Sequence, residues 1–166
     1  KDCIPTEVFE CPVVGFNALK SITTNSYSTA IGRGALQNAT GGQNNALGNN
    51  SGYGLTTGTE NVCIGSGIAT NSSSTTFSRN VLVGTDVAQG TGFTGTDNVF
   101  VGRQSGYFVS SGDNNVLIGG NAGDRASFTG NNNVVIGQGS DVDTGGRTRA
   151  VVIGQAAGTI AQDNTF

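Results

Sequence analysis

The chain reads as an all-β protein, a parallel β-solenoid of about nine coils, and three observations predict it. A short apolar triplet closed by glycine recurs nine times along the 166 residues, at a nearly constant interval. The triplets are rich in β-branched residues, which favour strands. Gly, Asn, Ser and Thr, the turn formers, dominate the stretches between them. Glycine alone accounts for 28 residues, well above the usual share of about 7%.

The elements follow in order. Residues 1–10, "KDCIPTEVFE", fall outside the repeat. They read as a cap, as a distal tip or as a junction with an upstream domain, since a solenoid needs an end that stops further stacking. Residues 11–166 form the repeat domain. Its triplets end on Gly15, Gly32, Gly48, Gly65, Gly84, Gly102, Gly119, Gly137 and Gly154, giving steps of 17, 16, 17, 19, 18, 17, 18 and 17 residues. A period near 17 is too short for helix-pair repeats, so each copy is one coil. Stacked at a strand spacing of about 4.8 Å, nine coils make a rod about 40 Å long.

Within the triplet, alternation predicts two faces. The residue before the glycine (Val14, Ile31, Leu47, Ile64, Val83, Val101, Ile118, Ile136, Ile153) and the residue two before it, Val in the six later copies, are expected inside. The middle residues Val13, Ala30, Ala46, Cys63, Leu82, Phe100, Leu117, Val135 and Val152 are then expected outside. A strand apolar on both faces implies cover on both sides. An exposed apolar stripe marks an interface, so these nine residues are the expected contact between copies in a closed cyclic oligomer. The alternative cover is another domain of a longer protein. Three residues past each glycine stands a small residue in most copies, fitting a tight corner. Asn61, Asn80, Asn98, Asn115 and Asn133 share one register, and stacking them predicts a hydrogen-bonded ladder.

These motifs carry a resemblance. "STAIGRGAL", "NNALGNNSG", "NNVLIGGNAG" and "NNVVIGQGS" resemble the head repeats of trimeric autotransporter adhesins. "GLTTGTENVCIG" is similar to repeats in tail-fibre-like proteins of phages, giant viruses and predatory bacteria. The resemblance covers about Cys11 to Phe166. It implies a left-handed β-roll, three chains side by side, and attachment to a surface. Adhesin heads run near 14 residues per coil, so the longer coil here points to the tail-fibre-like, mosaic adhesive trimers.

Other function classes fit less well. The net charge of −3 argues against nucleic acid, which wants a basic face. No apolar run approaches the ~20 residues of a membrane helix. The chain opens at Lys1 without a leader and is expected to be a fragment of a longer protein. It has no His, and no nucleophile stands in a recognisable catalytic motif, so no catalytic residue, cofactor or metal is expected. Asp141 and Asp143, within "GQGSDVDTGG", resemble calcium-binding repeats, but the acids do not recur at a fixed offset. Thr is abundant but irregular, against ice binding. Cys3 and Cys11 are close enough in sequence for a small loop disulfide, with free thiols the alternative; Cys63 reads as a small hydrophobe.

The variable segments after the glycines carry most of the aromatics: Tyr53, Phe77, Phe93, Tyr107, Phe108 and Phe128. The phenylalanines read first as core. Tyr53 and Tyr107 stand five residues past Gly48 and Gly102, and with Arg103 and Arg125 they are the expected surface-binding residues. The functional expectation is an extracellular fibre or adhesin segment, on a cell surface or virion, binding a host or prey glycan or other envelope component through trimeric multivalency. The alternative is a structural shaft that spaces a separate tip.

Overall fold

The computed structural model describes residues 11–23, 27–70, 75–90, 92–124, 128–142 and 146–158. It is a parallel β-solenoid with a period near 17 residues and about seven turns, and no helix occurs among the described residues. Among the described residues, nine short strands make one sheet in chain order: β1 (Val13–Val14), β2 (Thr29–Ile31), β3 (Asn45–Leu47), β4 (Val62–Ser66), β5 (Val81–Thr85), β6 (Val99–Val101), β7 (Val116–Ile118), β8 (Val134–Ile136) and β9 (Val151–Ile153). Every neighbouring pair is parallel and in register, with middle residue on middle residue: Cys63 on Leu82, Leu82 on Phe100, Phe100 on Leu117.

Each coil turns by the same device. The glycine closing the strand has φ between +129° and +145°. A Cβ there would run into the backbone of the glycine one coil on at every position from Gly15 to Gly137, so the column must be glycine. Two residues later the backbone is left-handed in all nine copies, at Asn17, Gly34, Asn50, Gly67, Asp86, Gln104, Asn121, Gly139 and Ala156, with φ between +50° and +69°. This is the third position of a turn of type II sense, which favours Gly and Asn. The next amide closes it, as in Ser105 N–H to Gly102 O at 3.3 Å.

The sheet has its faces in the opposite phase to that expected. Ala30, Ala46, Cys63, Leu82, Phe100, Leu117, Val135 and Val152 are buried inside the coil, and Val13 packs against them. Val14, Ile31, Leu47, Ile64, Ile118 and Ile153 are exposed. The nine middle residues are therefore core of a single chain, and their expected role as contacts between copies is corrected.

Period-two alternation does not reveal which phase faces inward when all three residues are apolar. The residue before the triplet settles it. Asn44, Asn61, Asn80, Asn98, Asn115 and Asn133 are all buried inside the coil, so the next residue points out and the middle one in.

The interior is completed by Ala35, Ser51, Ile68, Val87, Ser105 and Ala122 at the corner and by Ala39, Leu55, Phe77, Phe93, Val109 and Phe128 on the far side. Phe77, Phe93 and Phe100 form a run of tilted rings with centroids 5.4 and 5.5 Å apart. The corner serines donate to the next coil's strand, Ser51 Oγ–H to Cys63 O at 2.7 Å and Ser105 Oγ–H to Leu117 O at 3.0 Å. Burial pushes the Cys63 thiol up to about 12. Cys3 and the whole 1–10 segment, with any bridge to Cys11, lie outside the described residues.

The expected asparagine ladder is present and one rung longer. Each Oδ1 accepts the backbone N–H of the residue one coil on, at 2.8–3.0 Å, from Asn44 through to Ala150. Each Nδ2 donates to a carbonyl of the following turn at 2.8–2.9 Å: those of Gly58, Phe77, Gly95, Gly112, Gly130 and Arg147. Below Asn44 the register is held by Ser28 Oγ, which accepts the Asn44 N–H.

Candidate interaction surfaces

Two surfaces are built by the stacking. The first is the outer face of the sheet. Its two columns are the flanking strand positions, running from Thr29 and Asn45 through Val62, Val81, Val99, Val116, Val134 and Val151, and from Val14 through Ile31, Leu47, Ile64, Val83, Val101, Ile118 and Ile136 to Ile153. Of the ten exposed large hydrophobics among the described residues, eight lie here: Val14, Ile31, Leu47, Ile64, Val81, Ile118, Val151 and Ile153, at 37–67% exposure. That concentration distinguishes the face from scattered surface apolars, which are ordinary. Nine strands at about 4.8 Å by three residues at about 3.3 Å give a strip of about 400 Å², the size of the largest apolar patch on a typical monomer, which is often functional.

The strip has distinct borders. On one side runs the glycine column, with no side chains. On the other runs an exposed column in left-handed backbone, Gln43, Glu60, Arg79, Asp97, Asn114, Asn132 and Arg149. The described salt bridge, Arg79 Nε to Asp97 Oδ1 at 2.7 Å, ties two rungs of this border. Its hydrogen bonds hold the Asp97 carboxyl below the usual range.

The second surface lies five residues past each glycine. Gln37, Tyr53, Thr70, Gln89, Tyr107 and Asp124 stand there on six consecutive rungs, all half-buried. Gln37 Nε2 donates to the Tyr53 hydroxyl at 3.3 Å and Gln89 Nε2 to Thr70 Oγ1 at 2.8 Å. Tyr107 is held edge-on by Phe108, ring centroids 4.7 Å apart. Arg103 donates from Nη1 to Gln104 Oε1 at 2.6 Å and from Nη2 to Asn121 Oδ1 at 2.8 Å. Asn121 Nδ2 donates to Asp124 Oδ2 at 2.8 Å.

Thus Tyr53, Tyr107 and Arg103 share one side of the rod, while Arg125 lies outside the described residues. Phe77, Phe93 and Phe128 are core, as read from sequence. Asp141 is buried on the rung before the last described one, bridged to Gly158, and Asp143 lies outside the described residues. Among the described residues, no group of three or more His, Cys, Asp or Glu converges as a metal site would require, and no helix is long and apolar enough to cross a membrane.

The amide network linking Arg103, Gln104, Asn121 and Asp124 was not visible in the sequence. Gln104 and Asn121 share the left-handed position two past the glycine, and that register was the available signal. No family model, curated protein or solved structure matches the chain.

Proposed function

We propose that this chain is a rod segment of an extracellular homotrimeric fibre or adhesin, its coils wound left-handed over nine rungs, which attaches to a cell-surface glycan or other envelope component. The observation that carries the reading is the two-column Val/Ile face, which supplies a straight apolar seam along the sheet. Three identical rods placed with these faces toward a common axis would dry all three strips at once. Cyclic symmetry gives every copy the same contacts. Facing inward, the sheets leave their polar sides outward, three to a fibre. Weak sites repeated on one rigid body then act together.

A shaft with no binding role would share the seam but not bind a surface. Binding of the purified chain to intact-cell envelope preparations and to an immobilised glycan panel separates the two. Attachment predicts saturable retention that falls when the assembly is dissociated. Retention no greater than that of an unrelated protein of similar charge would leave only the shaft.

A further inference from the structure

We infer that the side of the rod carrying Tyr53 and Tyr107 is a binding groove for a neutral, linear β-1,4-linked polysaccharide lying along the rod axis. The inference rests on the attachment reading above and deepens it, by naming the ligand class and the residues.

Three features converge. The two rings occupy the same register three rungs apart, about 14 Å at strand spacing. The rung interval itself is close to the rise of one sugar in an extended β-1,4-linked chain, so polar groups fall in step with successive sugars. Each ring is also held by its own neighbour. Gln37 bonds the Tyr53 hydroxyl and Asn38 Nδ2 donates to the Tyr53 carbonyl at 2.9 Å, while Phe108 braces Tyr107. A ring fixed before the ligand arrives loses little freedom on binding. Between and beyond the rings stand Thr70 and Gln89, bonded to each other, and Asp124, polar groups suited to hydroxyls, and no apolar side chain interrupts the column from Gln37 to Asp124.

Charge on this side is balanced, which suits a neutral chain. Asp86 and Asp124 are matched by Arg33 and Arg103, the latter engaged by Gln104 and Asn121, so no excess of positive charge draws an anionic chain to this side. Both rings are half-buried, with Tyr107 packed over Gly90 of the preceding rung, and the part left open is what the C–H edges of a pyranose would meet. An amphipathic ring of this kind, apolar in body and polar at its tip, is suited to a wet surface.

Cellohexaose and chitohexaose, with oligogalacturonate of the same length as the anionic comparison, test this by calorimetric titration of the whole chain. Tyrosine fluorescence gives a second readout, because the chain has three tyrosines and no Trp. A neutral hexasaccharide is expected to bind, the matching disaccharide to bind at least about tenfold more weakly, and Y53A/Y107A to lose at least about tenfold. Y53F/Y107F, which keeps both rings, is expected to retain most of the affinity, and circular dichroism confirms that each variant is folded.

No binding of either neutral hexasaccharide, preference for the anionic chain, or equal affinity in Y53A/Y107A would overturn the groove. Equal affinity in that variant would leave surface attachment standing through another site. Tyrosine-dependent binding by a monomeric rod would keep the groove and remove the trimeric fibre.

Discussion

At the residue scale, buried asparagines and glycines do the work that larger cores leave to bulk. Asn98 accepts the Asn115 N–H at 2.8 Å and gives its Nδ2 to Gly112 O at 2.8 Å. Asn98→Ala leaves both groups buried without a partner, at about 1–3 kcal/mol each. The expected loss is several kcal/mol in urea unfolding, whereas the exposed Asn49→Ala should fall within about 0.5 kcal/mol. An Asn98 variant as stable as the parent would show that the ladder is incidental.

Cys63 supplies a second check. With its thiol pushed up to about 12 by burial, it stays protonated at pH 8 and lacks the reactive thiolate. A thiol reagent at pH 8 should label Cys63 only at the rate at which the fourth coil opens, and at once in denaturant.

Asp97 gives a pH signature. Its folded carboxyl titrates below the unfolded value of 3.8 because Arg79 bonds and attracts the charged form. Its contribution is therefore complete above that value and is lost as pH falls through the lower folded one. Arg79→Gln should move the Asp97 titration back up toward 3.8, followed by carboxyl NMR; an unmoved titration would exclude the pair.

At the element scale, the strands are too short to stand alone and owe their stability to stacking. Stability in such arrays is a sum of rung and neighbour terms. The interior matches volume rung by rung. Leu36, four residues past Gly32, stands on the coil whose middle residue is Ala30 and reaches Gly52 on the next, the coil of Ala46. Where Phe100 and Leu117 stand, the same register holds Gly106 and Gly123, and a Cβ on Gly106 would strike the Phe100 ring. Phe100→Ala should cost about 3–5 kcal/mol. Gly106→Ala should destabilise as well, both by that clash and by its φ of +61°. The double variant should be less damaged than the sum, with a coupling of about 0.5–3 kcal/mol. Strict additivity would mean that the two positions do not share space.

The strands, their order and the ladder were legible because a regular repeat leaves few ways to stack. The sheet's phase was legible too, but in a different place from the triplet. Thr29 and Asn45 are polar at flanking positions, which suits an outward face. The middle position varies from Ala to Phe, as a packed interior does, while its flanks stay uniformly Val, Ile or Leu in the later coils. Alternation counted in apolar residues alone missed this, because the buried Asn belongs to the inward set. The groove was half legible: Tyr53 and Tyr107 matched in register, but Gln37 became a prop of Tyr53 only once adjacent coils were stacked, and the edge-on contact of Phe108 with its neighbour Tyr107 only once the chain turned.

At the scale of the whole molecule, turning the faces over moves the seam without removing it. The interior now holds Leu82, Phe100 and Leu117, and the face seeking cover is the Val/Ile double column. From Val62 onward its flanking residues are all Val or Ile, stiff at χ1 and suited to repeating contacts along the axis. Ile64→Lys with Ile118→Lys places charge on that face at exposed positions and should leave the coil intact while preventing assembly.

Sedimentation equilibrium of the purified chain, alone and as that double lysine variant, tests the central claim most directly. The account predicts three chains per particle for the parent and one for the variant, both with the same circular dichroism. A folded parent that remains a single chain at high protein concentration, with Ile64 and Ile118 open to water, would contradict it.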